Sequence, residues 1–227
     1  MIFPTRHPLF EGIVIATSAT LLSAILYVIP RELVGYPRLE DYVAQTRNPF
    51  THDLSEPILA YRIVAPGLAW LIGLRGLSGV AVPLVASVIN IVLIYRIVLQ
   101  HTSRLFSALL TAALSLTFLT QWTENYPGYG DAVSFLMMSL CIWSSRPSVR
   151  FLGTALGILN DERFMMAAPL LAFWSSGLQD QSNGLRLRLR EAAPIVVGVA
   201  LALTVRHGLQ HGWIGTGFQT PPLYGWI

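Results

Sequence analysis

Three stretches of the chain carry no charged residue for 18 consecutive positions, and they limit the folds open to it. These stretches cover residues 12–29, 78–95 and 105–122. An α-helix rises 1.5 Å per residue, so each stretch forms a helix about 27 Å long, close to the roughly 30 Å of a bilayer's hydrocarbon core. The sequence therefore predicts an all-α, polytopic integral membrane protein. The first stretch is longer than the core of a signal peptide, so we expect it to remain as a membrane anchor.

Charged residues are too scarce to cover a soluble domain of this size. Only 12% of the 227 residues are charged, whereas about 25% is usual for soluble domains. The net charge of +3 comes from arginine, since the chain contains no lysine, and no basic stripe with interleaved aromatic residues is visible. The single cysteine, Cys141, excludes a disulfide scaffold. We therefore expect membrane lipid as the surrounding partner and no nucleic acid.

Four shorter uncharged runs raise the predicted number of transmembrane helices to seven, in a single domain over residues 1–227. They cover residues 132–145, 151–160, 164–178 and 192–205. Arginine-rich loops favour the cytoplasmic side, and one orientation satisfies this rule for every loop. It places the N-terminus inside and the tail, residues 210–227, outside. We expect the inner membrane of a bacterium. A Leu-Arg alternation at residues 185–190, in a cytoplasmic loop of this arrangement, has the period of a β-strand.

The first predicted outer loop, residues 30–77, is long enough to contain structure of its own. It begins with a polar stretch whose Gly, Pro and Asn residues are typical of turns. Further on, Ser55 is a candidate helix cap, Arg62 interrupts an apolar run and Pro66 predicts a kink. We expect this second part to lie along the outer interface as a bent pair of short juxtamembrane helices, because a spanning helix here would invert the arginine bias of later loops.

The candidate residues for a functional site form three acidic clusters on the predicted outer face. The first is Glu40-Asp41, the second runs from Glu124 to Asp131, and the third is Asp161-Glu162-Arg163. The third is the most unusual, because it sets three charges between two apolar segments, and ionisable groups at membrane depth are costly unless they line a polar cavity. Motifs of soluble enzymes, such as a Walker loop or HExxH, are absent. Neither His101 nor His207 has an expected ligand partner at metal spacing, so no metal site is predicted.

The order of these features resembles the membrane glycosyltransferases of the GT-C fold, which use polyprenyl-phosphate sugars. The resemblance covers most of the chain, as a short seven-helix core of the family. It rests on Glu40-Asp41-Tyr42 in the first outer loop, Tyr61-Arg62-x-x-x-Pro66 opening a juxtamembrane helix, Tyr95-Arg96 ending a span, Asp131 heading a helix, and Asp161-Glu162-Arg163 before an apolar helix with Pro169. Members of the family usually continue for several more spans.

This resemblance implies an inverting transfer of a sugar from the lipid carrier to an acceptor on the non-cytoplasmic face. Asp41 would be the general base, with Glu40 next, while Arg62 and Arg163 would hold the lipid phosphate. Asp131, Asp161 and Glu162 would line the substrate site. Apart from the lipid-linked donor, which is a substrate, no cofactor is implied.

Structural explanations of the same residues stay open. Asp41 and Glu40 are equally explained as solvated loop acids, Arg62 as an arginine snorkelling from an interfacial helix, and Asp131 as an acid stabilised by a helix N-terminus. The alternative function is a non-catalytic membrane subunit that keeps the fold and packs against a partner protein. A transporter is disfavoured, because the sequence has no visible inverted repeat.

Overall fold

The computed structural model describes residues 8–26, 37–51, 54–55, 57–115, 130–177, 185–211 and 213. All regular elements in these ranges are helical, as predicted. The α-helices are α1 (Pro8–Leu26), α2 (Pro37–Arg47), α3 (Val64–Leu71), α4 (Ala81–Leu99), α5 (Arg104–Leu114), α6 (Asp131–Trp143), α7 (Pro147–Asn160), α8 (Phe164–Gly177) and α9 (Leu185–Gln210), with 3₁₀-helices at Pro57–Tyr61 and Gly76–Val80.

Two helical segments are long and apolar enough to cross a membrane. They are Gly76–Leu99, with 24 residues, and Ala192–Gln210, with 19. The first contains the predicted span 78–95 and the second contains the shorter run 192–205. Residues 116–122 of the predicted span 105–122, and the cluster from Glu124 to Tyr129, lie outside the described residues. The arrangement with seven spans therefore stays a prediction.

The second half of the first loop forms two short helices, with the break in a different place from the predicted one. The 3₁₀-helix Pro57–Tyr61 ends before Arg62, and α3 begins at Val64. Pro66 lies in the first turn of α3, where a proline disturbs no intrahelical hydrogen bond. The predicted kink at Pro66 is therefore wrong, and the break at Arg62 frees this side chain to reach other helices.

Helix α7 lies at the centre of the fold, in contact with α3, α6, α8 and α9. Its buried residue Ile158 belongs to one core cluster with Val133 of α6, Phe164 of α8 and Ile195 of α9. Helix α9 approaches α7 closely at Gly198, where a methyl group in place of the glycine hydrogen would lie 2.7 Å from the carbonyl oxygen of Phe151. Small residues permit such close contact between helices.

The Leu-Arg alternation at residues 185–190 forms the first turns of α9. Despite its period of two, this stretch is therefore helical, where the sequence predicted a loop. Leucine and arginine are both good helix formers, and the stretch contains no β-branched residue that would favour a strand.

Candidate functional site

The candidate site is built around the end of α7, where Asn160 links three parts of the chain. Asn160 is 1% exposed. Its Nδ2 donates hydrogen bonds to the carbonyl oxygen of Gly130 (2.6 Å) and to Oγ of Ser134 (2.8 Å), and its Oδ1 accepts from the backbone N–H of Ala65 (3.1 Å). The N–H of Ala65 lies in the first turn of α3, where backbone donors have no partner within the helix. Asn160 therefore fixes the starts of α3 and α6 against the end of α7.

A second contact docks the first loop onto the same helix end. The backbone N–H of Ile63 donates to the carbonyl oxygen of Leu159 at 3.2 Å. Carbonyl groups in the last turn of a helix lack partners within it, so α3 and α7 satisfy each other's free backbone groups. Arg62, the residue before Ile63, is thereby brought beside the turn that follows α7.

This turn is formed by Asp161, Glu162 and Arg163, and local hydrogen bonds explain its shape. Asp161 has an extended backbone that ends α7, and its Oδ1 accepts from the backbone N–H of Arg163 at 2.9 Å. Aspartate favours such turns because its short side chain reaches a backbone donor two residues on. Helix α8 then starts at Phe164, whose N–H donates to the carbonyl oxygen of Asp161 at 3.0 Å.

Arg163 binds two carboxylates, one from its own turn and one from α6. Its Nε lies 3.0 Å from both carboxylate oxygens of Asp161, and its Nη2 lies 2.9 and 3.0 Å from those of Asp131. Nη2 also donates to Asp161. Among the described residues, Nη1 makes no hydrogen bond, and 57% of the side chain is exposed. Nε and Nη2 thus form an engaged inner edge of the guanidinium, and Nη1 is the nitrogen left for another group.

Arg62 and Arg206 share the remaining carboxylate of the cluster. Nη2 of Arg62 donates to Oε1 of Glu162 at 2.8 Å, and Nη2 of Arg206, on α9, donates to Oε2 at 3.1 Å. Nη2 of Arg62 also lies 3.7 Å from Asp161, and its Nη1 lies 4.0 Å from Asp131. Within the described part of the chain, three arginines therefore balance three carboxylates, in a network that joins the first loop, α6, the α7–α8 turn and α9.

The two aspartates of the network differ in their ionisation. Burial raises the pKa of Asp131 from 3.8 to about 6, and the hydrogen bond with Asp161 adds to the rise, against the charges of Arg163 and Arg62. Burial also raises the pKa of Asp161, but hydrogen bonds from Arg163 and Asp131 and the charge of Arg62 outweigh it and bring the pKa to about 2. A proton shared by the pair therefore resides on Asp131.

Some donors of this network remain without a partner among the described residues. They are Nε and Nη1 of Arg62 and Nε of Arg206, all of them buried. Leaving a buried donor without a hydrogen bond costs about 1–3 kcal/mol. The balance of charge in the network is therefore complete, whereas its hydrogen bonding is not.

A cavity of about 250 Å³ opens beside Asp131, Asp161 and Arg163. Ser134 completes its polar side, and its other walls are apolar, formed by Phe135, Met138, Phe164 and Ala167. The volume is slightly below the roughly 300–1,000 Å³ of sites for drug-sized ligands. The cavity therefore suits a small polar group attached to an apolar chain.

The predicted base residues of the first loop lie elsewhere. Glu40 is exposed on α2. Asp41 is buried, and its two carboxylate oxygens accept hydrogen bonds from the backbone N–H and the Oγ of Ser55, at 2.8 and 2.7 Å. Neither residue lines the cavity beside Arg163. Of the predicted site residues, Arg62, Asp131, Asp161, Glu162 and Arg163 come together, and Glu40 and Asp41 do not join them.

The sequence interpretation missed Arg206, Asn160 and Ser134. For Arg206 a signal existed, because it follows the uncharged run 192–205 and lies on the same predicted side as the charged triple. Asn160 and Ser134 gave no such signal, because isolated polar residues near helix ends are common. Within the described residues, no three His, Cys, Asp or Glu side chains are arranged to hold a metal ion.

Comparison of the chain with protein-family models, curated proteins and solved structures finds no match. The functional argument therefore depends on the geometry of the cluster and its cavity.

Proposed function

We propose that the protein is a polytopic membrane glycosyltransferase of the GT-C type, which moves a sugar from a polyprenyl-phosphate carrier to an acceptor on the non-cytoplasmic face. The proposal rests on the cavity in which Arg163, Asp131 and Asp161 meet an apolar wall. A lipid-linked phosphate needs both environments, a cation for its head group and apolar surface for its chain. The buried fractions of the two candidate spans, 39% and 28%, support a lipid-exposed fold.

Arg163 suits the phosphate because its Nη1 makes no hydrogen bond among the described residues, whereas Nε and Nη2 are engaged. Nη1 can donate charge-assisted hydrogen bonds to phosphate oxygens. The inner edge stays bonded to Asp131 and Asp161, which fixes the orientation of the plane. In this proposal the guanidinium compensates the charge that develops on the leaving phosphate.

Asp131 suits the role of general base better than Asp41 does. It lines the cavity, and burial raises its pKa to about 6, which is in the range useful for proton transfer near neutral pH. In the reaction, the acceptor oxygen forms a bond to the anomeric carbon and the bond from this carbon to the phosphate oxygen breaks. The hydroxyl proton passes to Asp131, and the electron pair leaves with the phosphate. Asp41 is engaged with Ser55.

The test is a transfer assay of the purified chain with a panel of polyprenyl-phosphate sugars. We expect Asp131→Asn to lower kcat by at least about 100-fold, the usual contribution of a general base. Arg163→Lys should lower it too, because a lysine ammonium has three donors in place of the planar fork of five donors that holds both carboxylates in a fixed geometry. The matched control is Glu40→Gln, an exposed acid outside the cavity. Full activity of folded Asp131→Asn, together with an inactive Asp41→Asn, would assign the base to the first loop.

A second candidate function is that of a non-catalytic membrane subunit with the same fold. It is favoured by the balance of three arginines against three carboxylates, since a network without excess positive charge is sufficient to join helices. Absence of turnover by the wild-type chain with every donor of the panel supports this candidate.

A further inference from the structure

The end of α9 brings two histidines together: His207 lies in its last turn, and His211 follows the helix directly, with its backbone N–H donating to the carbonyl oxygen of His207 as in a helix. His207 and His211 are four residues apart and both are exposed. Residues at this spacing are neighbours on a helix surface, and the centroids of the two rings lie 4.0 Å apart. The sequence interpretation of His207 as a histidine without a ligand partner overlooked this spacing.

The hydrogen bonding of His211 orients its ring for binding. Its Nδ1 lies 3.0 Å from the carbonyl oxygen of His207, and a carbonyl oxygen can only accept a hydrogen bond. Nδ1 therefore carries the proton, and the lone pair is on Nε2. Histidines that bind metals are held in the same way, with one ring nitrogen donating to a carbonyl group and the other facing the ion.

We propose that His207 and His211 bind a divalent late transition metal ion, of the class of Ni²⁺, Cu²⁺ and Zn²⁺. Imidazole nitrogens suit these ions, and two histidines four residues apart on a helix form the metal-binding pair of HExxH sites. The C-terminal end of a helix also favours positive charge. The remaining coordination positions are filled by water or by an external ligand. This site is separate from the proposed transfer reaction and does not depend on it.

Trp213 lies close enough to the two histidines for its fluorescence to report metal binding. The indole ring of Trp213 lies 5.2 Å from the ring of His207, edge to face, and 5.8 Å from that of His211. Because Ni²⁺ and Cu²⁺ quench the fluorescence of nearby indoles, occupancy of the pair lowers the emission of Trp213.

The experiment titrates NiCl₂ into the full chain, purified without a histidine tag, and measures heat and tryptophan emission. We expect one Ni²⁺ per chain, and at least about tenfold weaker binding in His207→Ala and in His211→Ala. The matched control is His101→Ala, an exposed histidine that follows α4 in the chain, which should bind as the wild type does. Trp213→Phe should keep the affinity and lose most of the quenching.

A thermal unfolding series separates binding from misfolding. A ligand that binds only the folded state raises Tm, so Ni²⁺ should raise the Tm of the wild type and of His101→Ala and leave His207→Ala unchanged. Without metal, all variants should unfold at similar temperatures. Equal affinity of the wild type and both α9 variants, or equal loss in His101→Ala, would overturn the proposal.

Discussion

Removal of the Asn160 side chain tests whether this residue holds the site together. The change Asn160→Ala deletes three hydrogen bonds and leaves the buried N–H of Ala65 without its partner, whereas the carbonyl oxygen of Gly130 still accepts from the N–H of Val133 at 2.9 Å. Ser134 is less affected, because its hydroxyl also reaches the carbonyl oxygen of Gly157 at 3.4 Å. Asn160→Ala therefore mainly tests the cost of one unsatisfied backbone donor, the N–H of Ala65.

The magnitude combines one unsatisfied donor with the loss of two further hydrogen bonds. The unsatisfied donor costs about 1–3 kcal/mol and a lost hydrogen bond about 0.5–1.5 kcal/mol, so the free energy of unfolding should fall by about 3 kcal/mol. For a chain of this size, 1 kcal/mol corresponds to roughly 2–4 °C in Tm, so we expect a fall of about 10 °C. The assay is thermal unfolding of the detergent-purified chain, followed by circular dichroism.

Two further variants make the test selective. Ser134→Ala removes only one partner of Asn160 and should lower Tm by a few degrees, corresponding to about 1 kcal/mol. Asn160→Asp keeps the acceptor for Ala65 but loses the donor to Gly130, and it adds a negative charge beside Asp161, so it should be at least as unstable as Asn160→Ala. The reasoning is refuted if Asn160→Ala unfolds no earlier than Ser134→Ala.

Two other predictions concern the pH response and the helix packing. The pKa of Asp131 in the folded protein lies above its ordinary value of 3.8, at about 6. The stability that this group contributes is therefore present below pH 3.8 and lost as the pH rises to about 6. Between these pH values, the unfolding free energy of the wild type should fall relative to that of Asp131→Asn. The opposite sign, with stability lost as the pH falls towards about 2, is expected for Asp161, so chemical unfolding of Asp161→Asn over the acid range checks the assignment. Gly198→Ala should cost about 1–3 kcal/mol, because its methyl group would lie 2.7 Å from a backbone oxygen of α7. Its control is Gly67→Ala in α3, where the atom nearest to the added methyl group would be 3.9 Å away. This change should be neutral or stabilising, because alanine is the better helix former. Equal Tm values of the two variants would contradict the packing argument.

The sequence predicted those features that depend on local composition. Uncharged runs predicted helices, and the described residues are helical throughout their regular elements. The triple Asp161-Glu162-Arg163 stands out in the sequence because charges between apolar segments need a reason, and in the structure it meets Arg62 and Asp131. This grouping was predictable because the membrane orientation predicted from the arginine-rich loops placed all these residues on the outer side.

The partners of individual side chains were less predictable. Asp41 and Glu40 are adjacent in sequence, yet the turn of α2 buries Asp41 against Ser55 and exposes Glu40. Arg206 joins Glu162 across 44 positions of sequence. Such pairings depend on how helices pack, and no local pattern of residues encodes them. The sequence therefore favours Asp41 of the first loop as the general base, whereas Asp131 is the acid that lines the cavity.

The cluster has to hold helices together and also leave a group available for a ligand, and Arg163 shows how one residue can do both. Its inner edge binds Asp131 and Asp161, while its outer nitrogen has no partner among the described residues. Removing the whole side chain would leave Asp131 and Asp161 with only the longer ion-pair contacts to Arg62 among the described residues, so an inactive Arg163→Ala would not distinguish lost folding from lost binding. Arg163→Lys and Asp131→Asn keep most of the volume and change one property each. Only if these variants stay folded and differ from Glu40→Gln in turnover does the cluster act on a substrate as well as on the fold.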